Sequence, residues 1–322
     1  MPDTISLNQF DPVTGTIDSS LPVFNAEDFK GDRKRLTAPH VRDACHEYGV
    51  FYIDLDVSQQ SVVNSMLSEM SRFFAIPDDD PMKQRIIQGT DETGWVPRYS
   101  EPAYQPGTVS SLEAFDCDLA DIDGRAARNV WPDLPGFRDV ISECWSIYSD
   151  LASEVLNVLG RAAGVSPGSF VGRCDTQELN TLRLLHYAAT PPGASESNVG
   201  IAAHTDFECI TLIYQDAPGL EVTEPSGKWL DAPIAGGRIV VLLGDMLERW
   251  TNGYFKATGH RVRETDEQRF SIVMFVAAND GLRVEPLPEF VSASSPALYG
   301  PITQAQHIEN ELRRSRENAE QQ

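Results

Sequence analysis

The chain has 322 residues, 41% hydrophobic and 23% charged, the composition of an ordinary globular protein and enough length to bury a sizeable core. Its formal charge of −22 leaves no basic footprint for non-specific nucleic-acid binding, and no apolar run approaches the ~20 residues that span a bilayer. Neither nucleic acid nor membrane is therefore expected as a partner.

Met1–Ser6 lacks the basic start and apolar core of a signal peptide. The cysteines Cys45, Cys117, Cys144, Cys174 and Cys209 are scattered, with no CxxC pair or disulfide framework, and read as free thiols of a reducing compartment. A cytoplasmic protein is the expectation.

Residues 1–20 are polar and aperiodic and are expected to form an irregular arm. Leu21–Phe24 reads as a short strand. From Arg33 to Tyr48, Leu36, Val41, Ala44, Cys45 and Tyr48 recur at helical spacing, and Gly49 is placed to stop the helix. Val50–Leu55 is a strand, and Ser58–Ala75 a second helix with Val63, Met66, Met70 and Phe73 on its apolar side. Gly94–Glu101 and Ser111–Phe115 lie in a stretch punctuated by Pro and Gly, without strong periodicity. Trp131–Phe137 is a turn-rich bridge into a long amphipathic helix, Arg138–Gly164, whose apolar stripe makes it a scaffold.

From about Gln177 the period switches to 2. Thr181–Tyr187 then places Arg183, Leu185 and Tyr187 on one face and Leu182, Leu184 and His186 on the other. Ala188–Val199, rich in Pro, Gly and Ser, is a loop able to cover a cavity mouth. Further strands fit Ile210–Tyr214, Gly219–Val222, Lys228–Leu230, Arg238–Leu243 and Phe270–Val276, with Glu224–Lys228 as a hairpin turn. Short strands separated by turn signals roughly every 8–12 residues suggest a double-stranded β-helix, or jelly roll. Thr303–Glu317 reads as a polar amphipathic helix. The expected class is mainly β with flanking helices (α+β), a jelly-roll core with a helical N-terminal region. One compact unit is expected, with an N-terminal region at 1–130, the scaffold helix at 131–175, the core at 176–285 and a C-terminal helix at 286–322.

The chemistry-bearing residues concentrate between Ile201 and Ser271. In a strand, His204 and Asp206 share a face, and His260 lies in a second strand-like run, Thr258–Arg263. Two imidazoles and one carboxylate with open positions are the ligand set of a non-haem Fe(II) oxygen-activating site. Arg269 and Ser271 form another i, i+2 pair, and a guanidinium there can hold a carboxylate bidentately beside the hydroxyl. A zinc hydrolase also fits His/Asp/His ligands, but no HExxH-type base accompanies them, and Glu208 is a weak candidate for one. Asp245 and Asn252 are expected in turns.

The ordered set HxD, distant His, Arg-x-Ser, with Gly219-Leu-Glu-Val222, Gly244-Asp245 and Trp250-Thr-Asn-Gly253 between, resembles the isopenicillin-N-synthase-like family of Fe(II)/2-oxoglutarate-dependent dioxygenases. The N-terminal order of strand, helix, Gly-Val-Phe-Tyr-Ile, helix and Phe-Phe-x-x-Pro resembles that family's N-terminal region. The resemblance implies that His204, Asp206 and His260 hold Fe(II), and that Arg269 and Ser271 hold the distal carboxylate of 2-oxoglutarate. Tyr187 matches a tyrosine that helps there in many relatives, although Leu185 replaces their asparagine. The implied reaction consumes O2, decarboxylates 2-oxoglutarate to succinate and CO2, and hydroxylates, desaturates or cyclises a small-molecule substrate. The segments near the cavity mouth place Arg98, Tyr99, Glu101 and Tyr104, with Phe207, on the substrate side. A relative that uses no 2-oxoglutarate, an ethylene-forming relative and a non-catalytic jelly-roll module remain alternatives.

Overall fold

A computed structural model describes residues 21–89, 92–101, 104–118, 129–166, 168–190, 198–234 and 236–319. The arm expected at 1–20 and most of the mouth loop expected at 188–199 lie outside the described residues.

The N-terminal part runs β1 (Val23–Asn25), α1 (Arg33–Glu47), β2 (Val50–Asp54), α2 (Val57–Phe74) and the short α3 (Pro81–Arg85). Gly49 ends α1 as expected, at φ +72°, a conformation that costs glycine nothing. Asp56 caps α2 by accepting the Gln59 backbone N–H, while the Gln59 side chain accepts the Asp56 N–H, a complete capping box. Then come β3 (Gly94–Val96), β4 (Val109–Ser110) and β5 (Glu113–Cys117). The sequence pattern missed these as a set, because Glu113 and Asp116 interrupt any apolar alternation in a strand that is buried throughout.

After the scaffold helix α4 (Phe137–Ala162) follow β6 (Thr181–Tyr187), β7 (Asn198–Val199), β8 (Ile201–His204), β9 (Ile210–Gln215), β10 (Leu220–Thr223), β11 (Trp229–Asp231) and β12 (Arg238–Leu243). The chain closes with α5 (Asp245–Trp250), β13 (His260–Val262), β14 (Arg269–Val276), β15 (Arg283–Val284), β16 (Ile302–Thr303) and α6 (Gln304–Ala319).

Eight strands form the large sheet, in the order β1-β2-β12-β9-β14-β6-β5-β3, and four form a second sheet, β11-β10-β13-β8. This is the expected jelly-roll architecture with helices outside. The N-terminal region is woven into it, since β2 pairs with β12 and β5 pairs with β6. The alternation of each strand separates two cores. Phe270, Ile272, Met274 and Val276 of β14 join Leu182 and Leu184 of β6 in the core that includes buried residues of α1, α2 and α4. Their neighbours Arg269, Ser271, Val273 and Phe275 face a cavity of about 500 Å3.

A buried charge network ties β3, β5 and β6 to α3. Lys83 is 0% exposed, and its ammonium donates to Ile76 O (3.1 Å), Asp78 Oδ1 (2.9 Å) and Glu113 Oε2 (2.9 Å). Glu113 also accepts from Trp95 Nε1 at 2.9 Å and Arg98 at 3.1 Å, and meets His186 Nδ1 at 2.7 Å. Burial alone would push its carboxyl up, but the bonds from His186 and Lys83 reverse this and hold it at about 2. Removing Glu113 leaves the buried Lys83 with only the exposed Asp78 as counter-ion and takes the acceptor from Trp95 Nε1. Glu113→Ala is expected to cost ~3–5 kcal/mol in urea unfolding, whereas the double replacement Lys83→Met/Glu113→Leu recovers most of that loss. A loss below ~1 kcal/mol in Glu113→Ala would show that the network contributes little.

Candidate active site

The two sheets bring the sequence-separated candidates together. His260 of β13 pairs in register with His204 at the end of β8. The strand ends there, so Asp206 is held by the segment that follows and not by the strand pleat that i, i+2 spacing implied. Asp206 Oδ1 lies 3.7 Å from His204 Nε2 and 3.6 Å from His260 Nε2, and the three donor atoms fall within 4.8 Å of one another.

The orientation of each donor is fixed by its backbone surroundings. His204 Nδ1 contacts Ala202 O at 2.8 Å and His260 Nδ1 contacts Thr258 O at 3.1 Å. A carbonyl can only accept, so each Nδ1 carries the proton and each Nε2 keeps its lone pair for a metal. Burial, with His260 alongside, pushes the His204 pKa down to about 4, which keeps the ligating neutral form at neutral pH. The remaining Asp206 oxygen, Oδ2, accepts the Thr211 hydroxyl. The turn itself is clamped by the start of α5, where Asp245 N donates to Asp206 O (2.9 Å) and Met246 N to Glu208 O (3.0 Å). Gly244 permits that approach, because a Cβ there would meet Glu208 O at 2.3 Å. Asp245 thus opens a helix rather than a turn, and it pairs with His307 of α6 at 2.7 Å. Asn252, at φ +51°, does lie in the expected turn.

At the other end of β14, Arg269 is 1% exposed and has no carboxylate partner among the described residues. Nε donates to Ala217 O (3.2 Å) and Nη2 to Gln215 Oε1 (3.0 Å), with Ser271 Oγ 3.4 Å away. The guanidinium lies over the Tyr187 ring at 4.7 Å, and Nη1 makes no hydrogen bond to any described residue. Burial pushes the Arg269 pKa down. A buried guanidinium with a spare donor facing a cavity is built to receive an anion. Tyr187 stands directly across from Arg269 and Leu185 across from Ser271.

Of the substrate-side expectations, Glu101, Tyr104 and Phe207 line the cavity. Tyr104 stacks on the His204 ring at 4.2 Å. Arg98 and Tyr99 do not line it. Arg98 is drawn off by Glu113, and Tyr99 is 56% exposed. The sequence reading missed Asp116, Thr211 and Gln215, and also Ile308, Leu312 and Arg316 of α6, all of them in the lining or bonded to it. Arg183 was legible by period 2 as a neighbour of Leu185 and Tyr187, but its place in the cavity depends on β5.

Known proteins are similar to this chain in sequence and fold. The 2OG-Fe(II) oxygenase superfamily matches residues 179–278, and the N-terminal region of the family described as non-haem dioxygenase in morphine synthesis matches residues 21–134. A 2-oxoglutarate-Fe(II) type oxidoreductase (hxnY) of Emericella nidulans is 31% identical over 312 residues, covering 90% of this chain and 88% of the relative. The chain belongs to the 2OG-Fe(II) oxygenase superfamily. It is an oxidoreductase that depends on Fe(II) and 2-oxoglutarate, and the His204/Asp206/His260 cluster fits that superfamily's iron-binding triad.

Among other relatives of this oxygenase, a homoarginine-6-hydroxylase of Oryza sativa is 28% identical, with 94% of this chain and 95% of the relative covered. A full-length Neurospora crassa protein, solved in complex with alpha-KG, superposes with a TM-score of 0.79 at 25% identity, over 92% of this chain and 95% of that one. The same Neurospora protein with alpha-KG and 5-formyluracil gives a TM-score of 0.77 at 26% identity, over 94% and 98%. No described helix is long and apolar enough to cross a membrane.

Two outcomes follow from the site's own bonds. Thr211→Val keeps the shape and removes the donor to Asp206, and is expected to weaken Fe(II) affinity by about 10–100-fold in anaerobic titration. Unchanged affinity would show that Asp206 needs no such support. Asp116 is buried against the cavity, and burial raises its carboxyl to about 7 although Arg183 opposes the shift. Its folded pKa exceeds its unfolded value, so its stabilising proton is lost as pH rises through about 7. Asp116→Asn is therefore expected to stabilise the ligand-free protein by about 1–3 kcal/mol at pH 8, with the gain shrinking as pH falls towards 4. A gain that grows on acidification would contradict this.

Proposed function

We propose that this oxygenase hydroxylates an unactivated C–H bond of a small molecule, releasing succinate and CO2, in a reducing cytoplasmic setting that suits its buried free thiols. The observation that carries the reading is the buried Arg269, which lines the same cavity as the triad and whose Nη1 has no hydrogen-bond partner among the described residues. A dicarboxylate fits this arrangement, with one end paired to Arg269 and the other beside the metal-binding cluster.

In this reading His204, Asp206 and His260 hold Fe(II) through two Nε2 atoms and a carboxylate oxygen. Bound Fe(II) and 2-oxoglutarate supply the electrons that activate dioxygen, which is otherwise inert towards closed-shell molecules. The protein does the rest by placement. Arg269 pairs with the distal carboxylate of 2-oxoglutarate, assisted by the Ser271 hydroxyl, and Tyr187 covers the guanidinium on the strand opposite. Gln215 anchors the guanidinium by accepting from Nη2 and leaves Nη1 as the donor without a partner among the described residues. Tyr104, packed flat on His204, and Phe207 wall the space where the substrate carbon would sit, and keep water from it. The homoarginine and 5-formyluracil named for relatives are small molecules of the size this cavity holds.

Succinate release tests the role of Arg269. Arg269→Ala is expected to raise the half-saturating 2-oxoglutarate concentration by about 30-fold or more, as truncating one side of a buried charge pair costs ~2–5 kcal/mol. An unchanged half-saturation would place the cosubstrate elsewhere.

A further inference from the structure

The cavity has a second charged end, on β5 and β6, whose balance is opposite to that at Arg269. Asp116 and Arg183 face each other directly across these strands, and both line the cavity. The Arg183 guanidinium is already engaged by Glu101, which accepts from Nη1 at 3.1 Å and from Nη2 at 2.6 Å. That bidentate pair satisfies one full carboxylate. Asp116 is left with the Nε edge, where Oδ1 lies 3.2 Å away without hydrogen-bond geometry.

Asp116 is 5% exposed. Its Oδ2 accepts from Gln88 Nε2 at 3.0 Å, and its Oδ1 receives no hydrogen bond from the described residues. Two carboxylates, Glu101 and Asp116, therefore share one guanidinium at a buried wall of the cavity, which leaves one negative charge in excess there. Arg316, the other cation of the described lining beyond Arg183 and Arg269, belongs to the exposed part of α6. A surplus buried carboxylate oxygen calls for a cationic donor, just as the surplus guanidinium donor of Arg269 calls for an anion.

We infer that the substrate of this oxygenase carries a cationic nitrogen group, an amine, amidine or guanidine, and that Asp116 receives it. The inference deepens the proposed function and rests on Fe(II) and 2-oxoglutarate occupying the triad and the Arg269 end. The sheet sets the span. Asp116 on β5 is three strands from Thr211 on β9, whose hydroxyl steadies Asp206, or ~14 Å at the spacing of neighbouring strands. The oxidised carbon is thus several bonds away from the charged nitrogen. Asp116 acts as a specificity residue, and Arg183 and Gln88 fix its orientation.

The experiment uses the Fe(II)- and 2-oxoglutarate-loaded protein under anaerobic conditions, with calorimetric titration of n-hexylguanidinium, its neutral isostere n-hexylurea, and hexanoate. Hexylguanidinium is expected to bind at least tenfold more tightly than hexylurea, and hexanoate not to bind. Asp116→Asn is expected to lose at least tenfold for hexylguanidinium. Its 2-oxoglutarate binding, measured separately, reports that the variant is folded, and the hexylurea comparison needs no variant at all. Equal affinity for the urea, preference for hexanoate, no binding of hexylguanidinium, or unchanged affinity in a folded Asp116→Asn would each overturn the inference. A wild-type protein that takes up no 2-oxoglutarate would overturn the reading of the site, and with it the inference.

Discussion

A buried guanidinium with no carboxylate bonded to it among the described residues is the constraint on which the rest of this structure depends. Burying an unpaired charge is among the most costly things a fold can do. Arg269 is nevertheless placed at the start of the most central strand pairings, between β6 and β9. The surroundings offset part of the cost with neutral acceptors, Ala217 O and Gln215 Oε1, and with the face of Tyr187. None of these cancels the charge. The free protein thus holds an electrostatic deficit that an anionic cosubstrate relieves, so binding energy is stored in the fold before the ligand arrives.

The strand period turns this constraint into a site. Because β14 alternates, the residues that carry polar groups into the cavity are interleaved with those that anchor the strand to the helical core. Register is strongly specified when one face is buried, since a one-residue slip would put Phe270 in the cavity and Arg269 against Phe74 and His186. The metal-binding cluster is fixed in the same spirit, by backbone carbonyls behind each imidazole and by a helix start that grips the Asp206 turn. The C-terminal helix closes the assembly. Gln304, wholly buried, donates to Phe207 O and accepts from Ala278 N, which ties α6 to the metal turn and to the end of β14.

The sequence made legible those residues whose placement depends on local period. His204, Arg269, Ser271 and Tyr187 sit on strand faces that i, i+2 spacing alone identifies, and the helices α1, α2 and α4 followed from their apolar stripes and from Gly49. What stayed hidden depends on pairing between distant segments. Strand β5 carries Glu113 and Asp116, which look like loop residues until Lys83 and His186 are seen against the first and Arg183 beside the second, all from other elements. Arg98 illustrates the converse, because a segment near the mouth suggested a substrate contact whereas Glu113 claims the side chain. Thr211 and Gln215 are ordinary strand residues whose importance appears only through the side chains they touch.

The central claim is that one cavity holds Fe(II) at His204, Asp206 and His260 and a dicarboxylate at Arg269. Anaerobic visible absorption tests it most directly, with Fe(II) and then 2-oxoglutarate added to the purified protein. The account expects a weak metal-to-ligand charge-transfer band that needs both additions and is absent with either alone. Iron uptake with no band on adding 2-oxoglutarate, or no iron uptake at all, would contradict it.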